Sequence, residues 1–169
     1  MIQVKVDNVK YQQDLLNRYR QSLGVFKNPM EQIARLIRRG LKEQFQTEGR
    51  YGTGSKWAPL KEKTIDIRER YGFNAGPILQ RLGELKRSWS EGSHPGHATH
   101  ITNSSLVMGS EMTVARGGHY LASIHHYGTD KIAARPIMAV DGEIPDDLRA
   151  QIQQTIEDHL ARMNALISS

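Results

Sequence analysis

Apolar residues recur along this chain with two different periods, and the most regular stretch begins at Asn28. Its apolar residues follow one another at three- or four-residue spacing, which predicts an amphipathic helix that ends before Gly49. Asn28, Pro29 and Glu31 stand in the order of a capping box, with proline at the first helical position, so we place the start of the helix there. The predicted buried face consists of Met30, Ile33, Ala34, Ile37, Leu41 and Phe45.

A long C-terminal helix is predicted over residues 145–166. Pro145, Asp146 and Asp147 suit its first turn, because carboxylates are favoured at the positive end of the helix dipole. Its apolar residues lie on a narrow stripe at four-residue steps, so the stripe requires a partner surface, either the sheet or a neighbouring subunit. The stripe consists of Leu148, Ile152, Ile156, Leu160 and Met163.

Alternation with period two predicts strands in residues 2–6, 97–112 and 135–140. We expect the second segment to form a hairpin around Ser104 and Ser105, and all three segments to join in a mostly antiparallel sheet. Amphipathic helices packed against such a sheet define an α+β fold.

Three shorter helical segments are predicted at residues 8–23, 77–85 and 119–127. The second of them follows a proline turn, and three of its leucines are expected on the buried side. These are Leu79, Leu82 and Leu85.

Residues 49–56 form a glycine-rich segment after the first amphipathic helix. Four of its eight residues are Gly or Ser and Tyr51 is its one apolar residue, so we predict a flexible loop that is mobile in the isolated subunit. Trp57 and Leu60 are expected to be buried and to anchor the end of this loop. It is not a phosphate-binding loop, because that motif needs Lys before Ser and follows a strand, whereas this segment has Ser before Lys and follows a helix.

Length and composition indicate one domain over residues 1–169, because a chain of 169 residues can bury one sizeable core but not two large ones. There is no cysteine, which excludes disulfide scaffolds, zinc–cysteine sites and thiol catalysis. No apolar run reaches the length of a membrane span, and the N-terminus lacks the core of a signal peptide, so we expect synthesis in a cytoplasm and no membrane partner.

The net charge of +5 is distributed unevenly along the chain. Residues 1–87 have 18 Lys and Arg but 9 Asp and Glu, a net charge of +9, whereas residues 88–169 have 5 and 9, a net charge of −4. Such polarity is typical of a surface that binds nucleic acid. It is equally typical of subunits that dock the positive face of one copy on the negative face of the next.

The first amphipathic helix, residues 29–48, is basic on the face opposite its apolar residues. A helix of this kind can follow the phosphates of a nucleic acid, with Tyr51 and Trp57 available for stacking on bases. A solvated face that keeps the helix soluble is the more common origin of such a pattern. The four basic residues are Arg35, Arg38, Arg39 and Lys42.

His94, His97 and His100 are the best-spaced candidates for metal ligands. The intervening proline and glycine keep them off one helix face, and residues three apart on a strand point to opposite faces, so we expect structural roles. The adjacent His125 and His126 have no identifiable paired serine or carboxylate, and we expect one packed ring and one exposed ring.

Asp66, Glu84 and Lys86 superficially match the acidic and basic ligands of metal-dependent nucleases. That chemistry needs the Glu and Lys on a strand beside the metal, whereas the sequence predicts a helix end at this point. A nuclease is therefore a third alternative, and we expect no enzyme activity, cofactor, metal site or small-molecule substrate.

Several short motifs follow one another between residues 30 and 140. They are Phe45-Gln-Thr-Glu-Gly49, Trp57-Ala-Pro-Leu60 with Thr64 and Arg68, Pro77-Ile-Leu79 with Leu82-Gly83-x-Leu85, and Ile124-His-His-Tyr-Gly128 followed by Ala134-Arg-Pro136. Each motif alone is unspecific. The ordered set resembles the phage virion morphogenesis family, also called the tail completion family, of Mu-like phages and prophages.

The resemblance implies a structural virion protein, made in the bacterial host cytoplasm, that acts at the head–tail joint or tail end through subunit contacts. It implies a homo-oligomeric ring and contact with other phage head and tail proteins, with any DNA contact non-specific. The alternative function is a nucleic-acid-binding module that uses the basic helix 29–48. The candidate assembly contacts are Arg35, Arg38, Arg39, Lys42, Ile152 and Ile156.

Overall fold

The structure is a computed structural model that describes residues 13, 14, 16–18, 26–114, 118–138 and 144–168. Its elements are the helices α1 (Lys27–Gln46), α2 (Arg50–Thr53), α3 (Glu62–Arg70) and α4 (Glu84–Ser90), the strands β1 (His97–Ile101) and β2 (Leu106–Ser110), and the helices α5 (Leu121–Tyr127) and α6 (Asp146–Ser168). Residues 13, 14 and 16–18 are also helical, in agreement with the helix predicted over residues 8–23. Helix α1 packs against α4, α6 and both strands. This arrangement confirms the predicted α+β class and the long C-terminal helix.

Helix α1 confirms the predicted amphipathic helix but begins two residues earlier than the sequence predicted. Its first residue is Lys27, the amide of Met30 donates to the carbonyl oxygen of Phe26 at 3.2 Å, and no side chain caps this end. The predicted cap at Asn28 is therefore wrong. Pro29 lies in the first turn, where its missing amide proton leaves no helical hydrogen bond unmade, so the helix can begin ahead of it.

The buried face of α1 contains two residues that hydrophobic periodicity does not identify, Gly40 and Gln44. A Cβ atom at Gly40 would lie 3.1 Å from Cδ2 of Leu148, so the missing side chain lets α6 approach α1 closely. Gln44 is 2% exposed, and a buried amide of this kind requires hydrogen-bond partners.

Gly49 adopts the left-handed conformation predicted for the residue that ends the first helix, with φ of 98°, and its amide donates to the carbonyl oxygen of Gln44 at 2.9 Å. Helix α2 occupies residues 50–53 of the segment that the sequence predicted as a flexible loop, and residues 54–56 are not helical. The amide of Gly52 donates to Oε1 of Gln44 at 2.6 Å, and the hydroxyl of Tyr51 donates to Oδ2 of Asp147 at 3.1 Å. The predicted mobility of this segment in the free subunit stays a prediction.

Strands β1 and β2 form the predicted hairpin. They pair antiparallel, with His97 opposite Ser110 at the open end. At the turn the amide of Thr102 donates to the carbonyl oxygen of Ser105 at 2.9 Å, which closes the connection without glycine. The hairpin therefore forms where the alternation predicted it.

The predicted third strand is wrong over residues 135–138, which pair with no strand in the described part of the chain. Pro136 has no amide proton to donate to a ladder, and side chains bind the backbone groups beside it. Residues 2–6 and 139–140, the other predicted strand positions, lie outside the described residues.

The helix predicted over residues 119–127 is confirmed as α5, but the helix predicted over residues 77–85 is wrong over residues 77–83, which are not helical, because α4 begins only at Glu84. One predicted core residue of that segment is wrong as well. Leu85 is 4% exposed and Leu79 is half-buried, as predicted, whereas Leu82 is 56% exposed. Leu82 precedes Gly83, whose φ of 76° turns the chain just before α4 begins. Leu82 therefore does not share the helix face of Leu85.

Helix α6 packs on α1 through a face that matches the predicted stripe only in part. Leu148 is buried and Ile152 half-buried, but Leu160 is 45% exposed and His159 is 6% exposed. Four-residue steps drift around a helix with about 3.6 residues per turn, so the contact face passes from Leu160 to His159. The His159 ring packs edge-on against Phe26, with ring centroids 4.7 Å apart.

The core joins α1 to the segments that follow it. Phe45 and Trp57 meet edge to face, with ring centroids 5.5 Å apart. The burial of Trp57 is confirmed, and Leu60 is half-buried against the same core. The buried cluster consists of Leu41, Phe45, Trp57, Ile78, Leu85, Trp89, Ala122 and Ile137.

We expect Gly49→Ala to destabilise the protein strongly. The φ of Gly49 disfavours a side chain, and a Cβ atom there would lie 2.4 Å from Cδ1 of Trp57. Left-handed backbone costs about 1–2 kcal/mol and overpacking about 1–3 kcal/mol, so the free energy of unfolding should fall by about 2–4 kcal/mol. Urea denaturation followed by far-UV circular dichroism measures this loss.

Gly54→Ala is the matched control for this substitution. Gly54 also has positive φ, 72°, but none of the described atoms lies within 4 Å of its Cβ position. Its loss should be about 1 kcal/mol. Equal losses of unfolding free energy for the two variants would show that the contact with Trp57 does not contribute to the cost of a side chain at Gly49.

Candidate functional site

Residues 134–138, which we call the Pro136 segment, are partly buried, and no strand among the described residues pairs with them. The carbonyl oxygen of Pro136 accepts hydrogen bonds from Nε1 of Trp57 at 2.8 Å and from Nε2 of Gln44 at 3.1 Å. Two side chains thus satisfy one backbone acceptor that strand pairing would satisfy in a sheet. The same Gln44 amide holds α2, so one side chain joins three parts of the chain.

The amide groups beside Pro136 bind helix α5. Arg135 donates to the carbonyl oxygen of His125 at 2.7 Å, and Ile137 donates to Nδ1 of His126 at 3.2 Å. Burial lowers the pKa of His126, which favours the neutral ring that accepts this bond. The predicted pair of one packed and one exposed histidine is wrong, because both rings are half-buried against the Pro136 segment.

The side chain of Arg135 connects the Pro136 segment to the chain just after Trp57. It is 6% exposed, and it donates from Nε to the carbonyl oxygen of Ala58 and from Nη2 to that of Pro59, both at 2.9 Å. Burial lowers the pKa of Arg135, which still remains charged. The guanidinium therefore fixes two adjacent carbonyl groups in one orientation.

Arg68 on α3 is a second buried arginine, also 6% exposed. Its Nη1 donates to the carbonyl oxygens of Ala75 at 3.2 Å and Pro77 at 3.0 Å. The pKa of Arg68 is lowered, mainly by burial and to a smaller extent by the positive charges of Arg81 and Arg135. Within the described residues, neither buried arginine forms an ion pair with a carboxylate.

Glu48 fixes the turn that contains Ile78 from the other side. Its Oε1 accepts from the amide of Ile78 at 3.0 Å, and its Oε2 lies 3.3 Å from Nζ of Lys56. The Ile78 hydrogen bond and then Lys56 lower the pKa of Glu48, against the opposing effect of burial. Residues of four motifs named in the sequence analysis are thus bound to one another within the subunit.

A cavity of about 520 Å³, the α3–α5 groove, is lined by these same segments. Nδ1 of His125, also a lining residue, is buried and has no hydrogen-bond partner among the described residues. The apolar residues that line the groove include Leu60, Ile67, Leu79, Leu82, Leu121 and Ile132. The basic residues that line it are Lys61, Arg68, Arg81, Lys131 and Arg135.

A second cavity of about 470 Å³, the α1–α4 groove, lies next to the first and is also basic. Lys42 from α1 lines it together with Lys86 and Arg87 from α4. Arg81 and Leu82 line both grooves, so the two form one continuous surface.

The four basic residues that the sequence singled out on α1 share one helix face but have different surroundings. Lys42 lines the α1–α4 groove, and the guanidinium of Arg38 lies 3.7 Å from the Cβ position of Gly92. Arg39 donates from Nη2 to Oε1 of Gln151 on α6, and Arg35 is exposed. Of the four, Lys42 is the one that lines a groove described here.

The two apolar assembly candidates lie on the inner side of α6. Ile152 lines an apolar cavity of about 90 Å³ between α1 and α6, beside Ile37 and Leu148, and Ile156 is half-buried. The structure thus gives Ile152 a contact within its own subunit. A role of either residue in assembly stays a prediction.

The other catalytic and metal candidates have partners within the chain or stand apart. Nε2 of His94 lies 2.9 Å from Oε2 of Glu84, and Nδ1 of His97 lies 2.8 Å from the carbonyl oxygen of Ser88. Asp66 is exposed on α3 and does not line the groove that contains Glu84. In the part of the chain that the structure covers, no group of three His, Asp or Glu is placed to hold a metal ion.

The sequence profile of the phage virion morphogenesis family matches residues 7–161, which include every segment that lines the two grooves. No curated protein and no solved structure matches the chain. Among the helices described, none is both long and apolar enough to cross a membrane.

We expect Arg135→Met to destabilise the fold, because methionine fills part of the volume but leaves the carbonyl groups of Ala58 and Pro59 without their donors. A buried acceptor left unsatisfied costs about 1–3 kcal/mol, and because Ala58 is half-buried and Pro59 is exposed, the free energy of unfolding should fall by about 1–2 kcal/mol in total. Arg70→Met on the exposed side of α3 is the control and should change it by less than about 0.5 kcal/mol. Similar values for both variants in urea denaturation would contradict this role of Arg135.

We expect the contact between Tyr51 and Asp147 to be lost at alkaline pH. Burial, followed by the hydrogen bond and charge of Asp147, raises the pKa of Tyr51 from 10.0 to about 12. The folded state therefore favours the protonated phenol. Its contribution to stability is complete below pH 10.0 and disappears as the pH rises through about 12.

The measurement is the free energy of unfolding of the wild type and of Tyr51→Phe at several pH values from neutral to strongly alkaline. The difference between the two proteins should shrink across this range. Tyr127→Phe, at a tyrosine that is 77% exposed, controls for general tyrosine ionisation and should show no such trend. A difference for Tyr51→Phe that is independent of pH would contradict the assignment.

Proposed function

Because the chain belongs to the phage virion morphogenesis family, we propose that it is a structural subunit at the head–tail joint or tail end of a long-tailed virion. It acts there through contacts between subunits and with other head or tail proteins, and not by catalysis. The family supports a virion-associated location for the mature protein.

The observation that carries this proposal is that the motif residues form hydrogen bonds to backbone groups of their own subunit. Arg68, Arg135 and Trp57 donate to backbone carbonyl groups of their own subunit, and His126 accepts from a backbone amide. The motifs thus build a hydrogen-bonded frame beside the two grooves. A frame of this kind suits a protein that must present one defined surface to a partner.

The charge distribution supports self-association in a ring. Residues 1–87 carry +9 and residues 88–169 carry −4, and both grooves are basic. A contact between two different faces of identical subunits is heterologous, and such contacts close into rings when the rotation allows it. The opposite charges on the two parts of the chain suit this kind of contact.

We expect purified protein to associate in a concentration-dependent way that weakens as salt rises. Raising ionic strength from about 0.1 M to about 1 M shortens the Debye length from about 10 Å to about 3 Å, which screens exposed charges. Light scattering across concentration and salt measures this.

In parallel, phage particles made without the gene should accumulate separate heads and tails, and added protein should join them. A protein that stays monomeric and binds neither heads nor tails would refute the proposal.

The second candidate function, nucleic-acid binding, has one specific observation in its favour. Lys42 from α1 and both Lys86 and Arg87 from α4 line one groove, so two helices contribute positive charge to the same surface. If this surface follows a phosphate backbone, duplex DNA should bind with a log–log salt slope of about 0.9 per phosphate contacted. Lys42→Ala should then reduce that slope by about one contact, and Arg35→Ala, away from the groove, should leave it unchanged.

A further inference from the structure

We propose that the α3–α5 groove receives the outer face of helix α6 from a second copy of this chain. The proposal rests on the self-association argued above and identifies the two surfaces that make the contact. We define the outer face of α6 by Asp146, Glu157 and Leu160, which are all exposed.

The first step of the argument is the charge of the groove. Five basic residues line it, and within the described residues the buried guanidinium groups of Arg68 and Arg135 have only carbonyl oxygens as partners. Carbonyl groups satisfy the donors but do not neutralise the charge. Glu84, the one carboxylate among the described residues that line the groove, is already in contact with Arg87 and His94. The groove therefore has an excess of positive charge that a carboxylate from outside would balance.

The second step is the apolar content of the groove. Leu82 is 56% exposed and Ile67 is 39% exposed, and Leu82 lies where the two basic grooves meet. A large exposed leucine in the middle of a basic surface suits a partner that brings both carboxylates and an apolar side chain. A phosphate backbone brings charge alone and would leave Leu82 in water.

The third step identifies the occupant. The outer side of α6 has two carboxylates, Asp146 and Glu157, and one exposed arginine, Arg149. Leu160 is 45% exposed on that side, because His159 and not Leu160 packs inward, against Phe26 just before α1. Glu157 lies one turn before Leu160, and Asp146 lies on the same side of the helix about 21 Å nearer its start. The outer face of α6 thus offers the chemistry that the groove lacks.

The fourth step is the position of the two surfaces. Helix α6 packs on α1, and no residue of α6 lines the α3–α5 groove. The groove and the outer face of α6 are therefore different surfaces of one subunit. A contact between them in two copies leaves a free groove at one end and a free helix at the other, which is the geometry of a ring or chain.

The test uses charge reversal at one residue of each surface. Arg81→Glu reverses the charge of an exposed residue that lines the groove, and Glu157→Arg reverses the charge of a residue on the outer face of α6. Both positions are exposed, so each variant should keep the circular dichroism spectrum of the wild type. Each single variant should associate at least about tenfold more weakly than the wild type by light scattering at low salt, because like charges then face each other.

If association returns when the two charge reversals are combined, the two residues are in direct contact, whereas a general effect of charge would not be reversed in this way. An equimolar mixture of the two single variants, and also the double variant, should regain association close to that of the wild type. Arg70→Glu lies on α3 but does not line the groove, and it should associate like the wild type. Leu82→Ser and Leu160→Ser should each weaken association even at high salt, because the apolar part of the contact is not screened.

Each other outcome overturns the inference in a recognisable way. If the wild type associates but both charge reversals leave association unchanged, another surface makes the contact and the proposed function stands. If Arg81→Glu abolishes binding to purified phage heads or tails without changing self-association, the groove belongs to a different virion protein. If it lowers affinity for duplex DNA instead, the occupant is nucleic acid. A wild type that never associates and binds no phage particle refutes both this inference and the proposed function.

Discussion

The fold depends on how one partly buried stretch of backbone, the Pro136 segment, satisfies its polar groups without pairing to a strand in the described part of the chain. An amide or carbonyl group that leaves water unpaired costs about as much as a lost hydrogen bond, so every such group needs a partner. Here the partners are the side chains of Gln44, Trp57 and His126 and the carbonyl group of His125. Helices α1 and α5 and the chain after Gly49 are thereby fixed around a single segment. A sheet would have supplied the same bonds locally, whereas this arrangement makes distant parts of the chain depend on one another.

The two buried arginines connect this frame to the surface. Arg68 and Arg135 satisfy backbone carbonyl groups, which organises loops, and both also line the α3–α5 groove, which makes the groove positive. A buried arginine paired with a carboxylate would have given a neutral site, because an ion pair cancels its own charge. Carbonyl partners leave the charge in place and available to a ligand. In this protein the residues that stabilise the subunit therefore also set the charge of its most apolar groove.

Local periodicity predicted most of the helices and the hairpin. It did not predict the Pro136 segment or helix α2, because hydrogen bonds to distant residues determine their conformations. The amphipathic helix α1, the hairpin, α5 and the length of α6 all follow from residue spacing within one segment. The Pro136 segment looked like a strand because its side chains alternate, yet its backbone partners come from residues 10 to 92 positions away. Helix α2 looked like a loop because its anchor is Gln44, a polar residue on an otherwise apolar face. Within the candidate site, the sequence identified Lys42 from its charge but not the basic residues of the α3–α5 groove, because composition does not show that Arg68 and Arg135 are buried. The signal that would have found them is their place within the motifs, where Arg135 precedes Pro136 and Arg68 lies in the last turn of α3.

The burial of both tryptophans determines what the intrinsic fluorescence of this protein reports. Trp57 and Trp89 are each less than a tenth exposed, belong to the same core, and do not line the α3–α5 groove. The indole of Trp57 is also bonded to the Pro136 carbonyl, so its emission depends on the contact that holds the frame together. A partner that docks on the groove leaves both rings in the same surroundings, whereas loss of the frame exposes them to water. Tryptophan emission is thus a built-in probe of core integrity that does not respond to contacts at the α3–α5 groove, and a shift in emission when that groove is filled would mean that the subunit itself had rearranged.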